Sequence, residues 1–202
     1  MKDHPLSEQV TELLLQSLEH EKGGAQVYET ALQCVVNEDL KQEWEKYLQE
    51  TRHHVEVLTE VCATLNIDAA TQTPGVEVVR HMGASLVKAM NMARQGGKPA
   101  AAQLVACECV VLAETKDHLN WELIGKCGKK LLKGPAAKVL QAAYAEIEDQ
   151  EDEHLYHTKG WCRELWIESL GMKAMLPPPE EEKQVKTAIG AARAEHAAEK
   201  TR

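Results

Sequence analysis

The stretch IEDQEDEHLYHT, residues 147–158, places a glutamate and a histidine three positions apart on a strongly helical background. The pair is Glu151 and His154, and a second pair with the same spacing, Glu50 and His53, occurs earlier in the segment QETRHHVEV. Residues three apart on an α-helix project side by side from neighbouring turns. One helix can therefore offer a metal ion two ligands, a carboxylate and an imidazole.

Apolar residues recur at intervals of three and four along most of the chain, which predicts an all-α fold. No strand or hairpin pattern competes, and the chain contains no Phe. A further helix from Thr73-Pro74 to Gly96-Gly97 is expected to be a long crossover between the second and third of four bundle helices. These four are expected from Val10 to Leu32 with Ser7 as cap, from Asn37 to Leu65, from Pro99 to Ile124, and from Pro135 to about Gly171.

The composition changes near the end of the chain, where three prolines at 177–179 precede three glutamates. We expect residues 1–172 to form one helix bundle and residues 173–202 to be a Pro/Glu-rich linker and a charged tail. The tail is not expected to belong to the core.

Charge and hydropathy exclude several classes of protein. A net charge of -9 over 202 residues argues against a nucleic-acid surface, which needs clustered Lys and Arg. No apolar run approaches the roughly 20 residues of a membrane span, so no membrane contact is expected and a cytoplasmic location is predicted. The six cysteines include no Cys-x-x-Cys pair, which indicates small buried side chains and no sulfur-ligated metal.

Two further glutamates lie within apolar helical stripes. Glu21 aligns with Leu14 and Tyr28, and Glu114 aligns with Trp121 seven residues later. Burying four carboxylates together without cations would be severely unfavourable, because like charges in a low dielectric raise one another's pKa. Two divalent metal ions would neutralise them, and carboxylate with imidazole suits iron or manganese.

The resulting hypothesis is a dinuclear metal site with two iron ions, or manganese in their place. No residue is assigned a separate catalytic role. The predicted ligands are Glu50 and Glu151 as bridges, Glu21 and Glu114 as terminal ligands, and His53 and His154 as one nitrogen ligand for each metal.

The choice of His53 has a close rival. His54 is four residues after Glu50 and lies nearer the apolar face of its helix. His53 is favoured because it reproduces the spacing of the later Glu-x-x-His pair.

Asp117 follows Glu114 by one turn and is a candidate extra ligand, with a hydrogen-bonded role outside the ligand shell as the alternative. Glu148, Glu153 and His157 are expected to be solvated residues on the flank of the fourth helix.

The segments EKGGAQVYE, ETRHH, AETKDHLNW and EDEHLYH, taken together, resemble the ferritin-like superfamily, closest to rubrerythrin-type bundles. The resemblance covers about residues 7–170. It implies an antiparallel four-helix bundle with a long crossover. It also implies a non-haem di-iron centre that reacts with dioxygen or hydrogen peroxide, or that oxidises ferrous iron.

The chain departs from rubrerythrin in lacking a Cys-rich rubredoxin module, so electrons would come from an external donor protein. The expected substrate is therefore a small oxidant or a metal ion, and a homo-oligomer is expected. An iron-storage or ferroxidase assembly is one alternative. A non-enzymatic helical scaffold with incidental metal binding is another.

Overall fold

The computed structural model describes residues 6–173, and within that range the chain is helical with no strand. This confirms the predicted all-α class, while the predicted tail lies outside the described residues. None of the described helices is both long enough and apolar enough to cross a bilayer. The helices are α1 (Glu8–Ala31), α2 (Glu38–Thr64), α3 (Pro74–Gln95), α4 (Pro99–Lys126) and α5 (Gly134–Ser169), with a π-helical turn (Cys127–Leu131) between α4 and α5.

The helices begin where their capping residues predict. The side chains of Ser7, Asn37 and Thr73 each accept a hydrogen bond from the backbone amide three residues later. Pro74 and Pro99 occupy first-turn positions, where the missing amide hydrogen costs nothing. Local sequence signals therefore account for the starts of α1, α2, α3 and α4.

The helices pack as two hairpins with α3 outside them. Helix α1 lies against α2 and α4, helix α5 lies against α2 and α4, and α3 covers α1 and α4. Helices α1 and α3 approach closely at a pair of glycines, where a Cβ atom built on Gly83 would lie 3.5 Å from the Cα atom of Gly23. This packing leaves the inner faces of α1, α2, α4 and α5 turned toward one another.

Two apolar clusters fill the space between these four helices. Each fully buried large apolar side chain in them contributes about 1.5–3 kcal/mol to the free energy of unfolding. The first apolar cluster includes Tyr28, Trp44, Tyr47, Ala106 and Val110, and the second apolar cluster includes Leu14, Leu18, Leu58, Trp121 and Ile147.

Tight packing between α4 and α5 provides a test of this arrangement. A Cβ atom at Gly125 would lie 2.7 Å from atoms of the Tyr144 ring, whereas one at Gly23 would meet its nearest neighbour at 3.8 Å. We expect Gly125→Ala to lower the free energy of unfolding by about 1–3 kcal/mol through overpacking. Gly23→Ala, also in a helix interior, should raise it by up to about 1 kcal/mol. Urea denaturation of both variants measures the difference, and equal stabilities would contradict the packing.

Candidate metal centre

A layer of buried polar side chains separates the two apolar clusters, and we call it the central polar layer. All of its members are at most 4 % exposed, and no Lys or Arg is among the buried residues of the described range. The layer consists of Glu21 from α1, His54 from α2, Glu114 and Asp117 from α4, and Glu151 and His154 from α5.

Within the layer, two groups of three side chains each bring ligand atoms within 4.8 Å of one another. In the first group, Nδ1 of His54 lies 3.3 Å from Oε1 of Glu21 and 3.1 Å from Oε1 of Glu151. In the second, Nδ1 of His154 lies 3.6 Å from Oε2 of Glu114 and 3.9 Å from Oε1 of Glu151. Glu151 belongs to both groups and is therefore placed to bridge two ions.

Both imidazoles are oriented from outside the layer. The Nε2 atom of His54 lies 2.8 Å from Oε1 of Gln150, and Nε2 of His154 lies 3.0 Å from Oε2 of Glu50. Since both partners are acceptors, each Nε2 carries a hydrogen and donates it. Each Nδ1 then faces the carboxylates and holds either a second proton or a metal ion.

Two neighbours hold the carboxylate of Glu21. The indole Nε1 of Trp121 donates a hydrogen bond to Oε1 of Glu21 at 2.6 Å. Burial opposes ionisation of Glu21, but the adjacent His54 lowers its pKa below the usual value. Asp117 hydrogen-bonds to Glu21, and burial together with the charges of Glu21 and Glu151 raises the pKa of Asp117 well above its usual range. Asp117 therefore holds a proton beside an ionised Glu21 in the metal-free protein.

Protons supply the positive charge of the metal-free layer. Burial raises the pKa of Glu151 to about 7, with the charges of Glu21 and Glu114 adding to the shift against the effect of His54. Burial disfavours the imidazolium of His154, but Glu114 and Glu50 outweigh it and raise its pKa to about 9. Bound protons thus offset the negative charge of the layer in the absence of metal.

The structure brings His54, and not the predicted His53, to the centre. His53 is on the surface with its side chain 47 % exposed, 2.8 Å from Glu146 and 3.5 Å from Glu56. Thr51 and His54 lie on the buried face of α2, because the large apolar residues of this helix determine which side packs against the bundle. These apolar residues are Trp44, Tyr47, Leu58 and Val61, and with Thr51 and His54 they form a series spaced three and four apart.

Glu50 likewise lies outside the ligand groups, although we predicted it as a bridge. Its side chain is 19 % exposed and contacts Nε2 of His154, the ring nitrogen that faces away from the layer. The other carboxylate oxygen of Glu50 lies 3.5 Å from Nζ of Lys46. The buried residue at the position equivalent to Glu151 is Thr51, three before His54. Helix α2 therefore offers the layer an imidazole without a carboxylate, and Asp117 supplies the fourth carboxyl group.

The structure contradicts the expectation that Glu153 and His157 are solvated flank residues, since both are buried. Nδ1 of His157 lies 3.0 Å from the hydroxyl oxygen of Tyr47, and Nζ of Lys46 lies 2.9 Å from Oε1 of Glu153. The ring of Tyr47 packs against His154 with centroids 4.3 Å apart. The contact between Tyr47 and His157 therefore helps to hold the ring of Tyr47 against His154, which belongs to the layer.

Of the predicted ligands, Glu21, Glu114, Glu151, His154 and Asp117 lie in the central polar layer. Sequence reasoning missed the orienting role of Gln150 and the hydrogen bond from Trp121. The spacing of the apolar residues of α2 places His54 on the buried face of the helix, so it could have identified His54 from the sequence. No comparable feature of the sequence points to Gln150.

Comparisons with known proteins do not assign a family or a function to the chain. No protein-family model, curated protein or solved structure matches the chain. The inference of function therefore depends on the residues of the central polar layer.

The raised pKa values make the stability of the metal-free protein depend on pH. Between about 4.5 and 7, Glu151 binds more protons in the folded than in the unfolded chain, and His154 does so between about 6.5 and 9. Both groups thus make stability fall as pH rises through these windows. The lowered pKa of Glu21 acts in the opposite direction, but only at acid pH. We expect the melting temperature of chelator-treated protein to fall from pH 6 to pH 9.

The variant Glu151→Gln removes one of the two groups and keeps its shape. It should reduce the fall in stability between pH 5 and 7, where the raised pKa of Asp117 still contributes, and leave the decline toward pH 9. Asp149→Asn, a change at an exposed acidic residue of the same helix, is the control and should retain the full profile. A stability that rises from pH 6 to pH 9 in the unaltered, metal-free protein would contradict the protonation scheme.

Proposed function

We propose that the chain is a non-haem di-iron protein of the ferritin-like kind that performs redox chemistry with dioxygen or hydrogen peroxide, or oxidises ferrous iron. The observation that carries the proposal is the sharing of Glu151 between two buried groups of carboxylate and imidazole ligands. Carboxylate-bridged dinuclear sites in helix bundles have this donor chemistry. The packing of α1, α2, α4 and α5 around the layer, with α3 outside, is in keeping with a ferritin-like bundle.

Charge balance supports two divalent ions. The layer contains four carboxyl groups and no buried Lys or Arg within residues 6–173. Two divalent ions carry as much positive charge as four carboxylates carry negative charge. Their binding would displace the protons held at Nδ1 of His54 and His154, so binding should release protons to the solvent.

The donor set assigns the residues to two ions. Glu21 and His54 would hold the first ion, Glu114 and His154 the second, and Glu151 both. Oxygen and imidazole ligands suit iron and manganese, and iron is the proposed metal. When bound, two ferrous ions supply two electrons, which with two protons reduce one hydrogen peroxide to two waters.

The remaining residues prepare the site. Gln150 and Glu50 fix the imidazole rings, and Trp121 fixes the carboxylate of Glu21 through its indole hydrogen. In the metal-free protein Asp117 holds a proton next to Glu21, and it would release this proton when two divalent ions bind, which gives the four carboxylates of the charge balance. The two apolar clusters exclude bulk water from above and below the layer, which strengthens every electrostatic interaction inside it.

Neighbouring histidines on α2 give a matched test of the site. His54→Ala should remove one ligand of the first ion, whereas His53→Ala removes a surface imidazole only. We expect the unaltered chain and His53→Ala to bind two ferrous ions per chain under anaerobic conditions, and His54→Ala to bind at most one tightly. Elemental analysis after gel filtration measures the stoichiometry.

Thermal unfolding gives a second readout from the same samples. Ligand at one hundred times its dissociation constant stabilises the native state by about 2.7 kcal/mol for each site. Ferrous iron should therefore raise the melting temperature of the unaltered chain and of His53→Ala more than that of His54→Ala. Equal iron binding by the two histidine variants would show that the layer is not the site.

Redox activity is tested by adding oxidant to the anaerobic, iron-loaded chain. We expect consumption of dioxygen or hydrogen peroxide in proportion to bound iron, and its loss in Glu151→Ala because both ions lose their shared ligand. An oxygen electrode and a peroxide assay distinguish the two oxidants. Two tightly bound ferrous ions that react with neither oxidant would refute the redox function and leave metal binding intact.

A further inference from the structure

A small cavity lies between α4 and α5 beside the central polar layer. Its volume is about 20 Å³, which is enough for one water-sized occupant. His118 and Asp152 lie on its walls, with side chains 27 % and 23 % exposed, and Glu122 is 43 % exposed. Glu151 also lines the cavity and is 1 % exposed. The cavity therefore extends from the surface to the residue shared by both ligand groups.

The walls of the cavity suit a cation. Four of the lining residues carry carboxyl groups, namely Glu122, Glu148, Glu151 and Asp152. Lys126 pairs with Glu122, and Nζ of Lys129 lies 4.6 Å from the centre of the Tyr144 ring, so the carboxylates outnumber the nearby ammonium groups. A hydrated divalent cation would be attracted to such a mouth.

Glu151 is the buried residue of the cavity wall. Both of its carboxylate oxygens are buried, and neither has a hydrogen-bond partner among the described residues. At the outer end, Nε2 of His118 lies 2.8 Å from Oδ1 of Asp152, so an imidazole and a carboxylate stand side by side. Imidazole and carboxylate are the same donor types that the layer itself presents.

The other partly exposed edge of the layer has an ammonium group beside its carboxylates. There Glu50 is the partly exposed residue, and Nζ of Lys46 lies 3.5 Å from Glu50 and 2.9 Å from Glu153. An arriving cation would meet this ammonium group first. Charge therefore favours the side of α4 and α5.

From these observations we infer that the cavity between α4 and α5 is the access route for divalent cations, with His118 and Asp152 as a transient binding site at its mouth. The inference rests on the proposed function, because it names how that site is loaded. The ion passes from the His118 and Asp152 pair to Oε2 of Glu151 and then to the two ligand groups. The route predicts an effect on the rate of loading and none on the final number of ions.

Stopped-flow absorbance with cobalt(II), a spectroscopic substitute for ferrous iron, measures loading of the full chain. Asp152→Asn removes one charge at the mouth and keeps the side-chain shape, and Asp149→Asn removes one exposed charge of the same helix outside the cavity. We expect loading to slow by roughly tenfold in Asp152→Asn at low salt and to be unchanged in Asp149→Asn. Glu148→Gln, which still accepts the hydrogen bond from Tyr144, should also slow loading.

The outcomes separate this inference from the function on which it rests. Slower loading in Asp152→Asn and Glu148→Gln with two cobalt ions per chain at the end supports the route. Equal rates in Asp152→Asn and Asp149→Asn with full loading would overturn the route and leave the metal site intact. A lower final stoichiometry in Asp152→Asn would make Asp152 a resident ligand and overturn its transient role. Absence of cobalt binding by the unaltered chain would overturn both proposals.

Discussion

Electrostatic repulsion among four carboxyl groups, packed between two apolar clusters, is the constraint on which the rest of this structure depends. Glu21, Glu114, Asp117 and Glu151 share a volume from which water is largely excluded. The free energy of such an arrangement is strongly unfavourable unless positive charge is brought in. The metal-free protein meets this demand with protons on Asp117 and on the two inward imidazoles. Two divalent cations would also supply this positive charge, and they would form coordination bonds to the same side chains.

The polar side chains of the layer come from four different helices. Helix α1 contributes one carboxylate, α2 one imidazole, α4 two carboxyl groups, and α5 a carboxylate with an imidazole. The contacts of Gln150, Glu50 and Trp121 orient His54, His154 and Glu21 respectively. The surrounding apolar packing thus holds two neighbouring groups of carboxylate and imidazole side chains together, which is the physical basis for proposing a redox metal centre.

Much of the fold was accessible from sequence because its signals are local. Caps at Ser7, Asn37 and Thr73 and prolines in first turns depend only on backbone groups within a few residues. Glu21 and Glu114 were recognisable because each interrupts an apolar stripe of its own helix, and Glu151 because it lies three residues before His154. The histidine of α2 was not resolved in this way, because His53 and His54 are adjacent and a shift of 100° decides which one points inward.

The sequence by itself determined the all-α class, most helix boundaries and the presence of buried acid on three helices, since hydrogen bonding and periodicity within a helix are encoded locally. Only the tertiary structure decided that His54 replaces His53 and that Glu50 supports His154 from outside. It also brought Asp117 beside Glu21. The reason is that the rotation of α2 is set by packing of Trp44, Tyr47 and Leu58 against other helices, a contact between residues far apart in the chain.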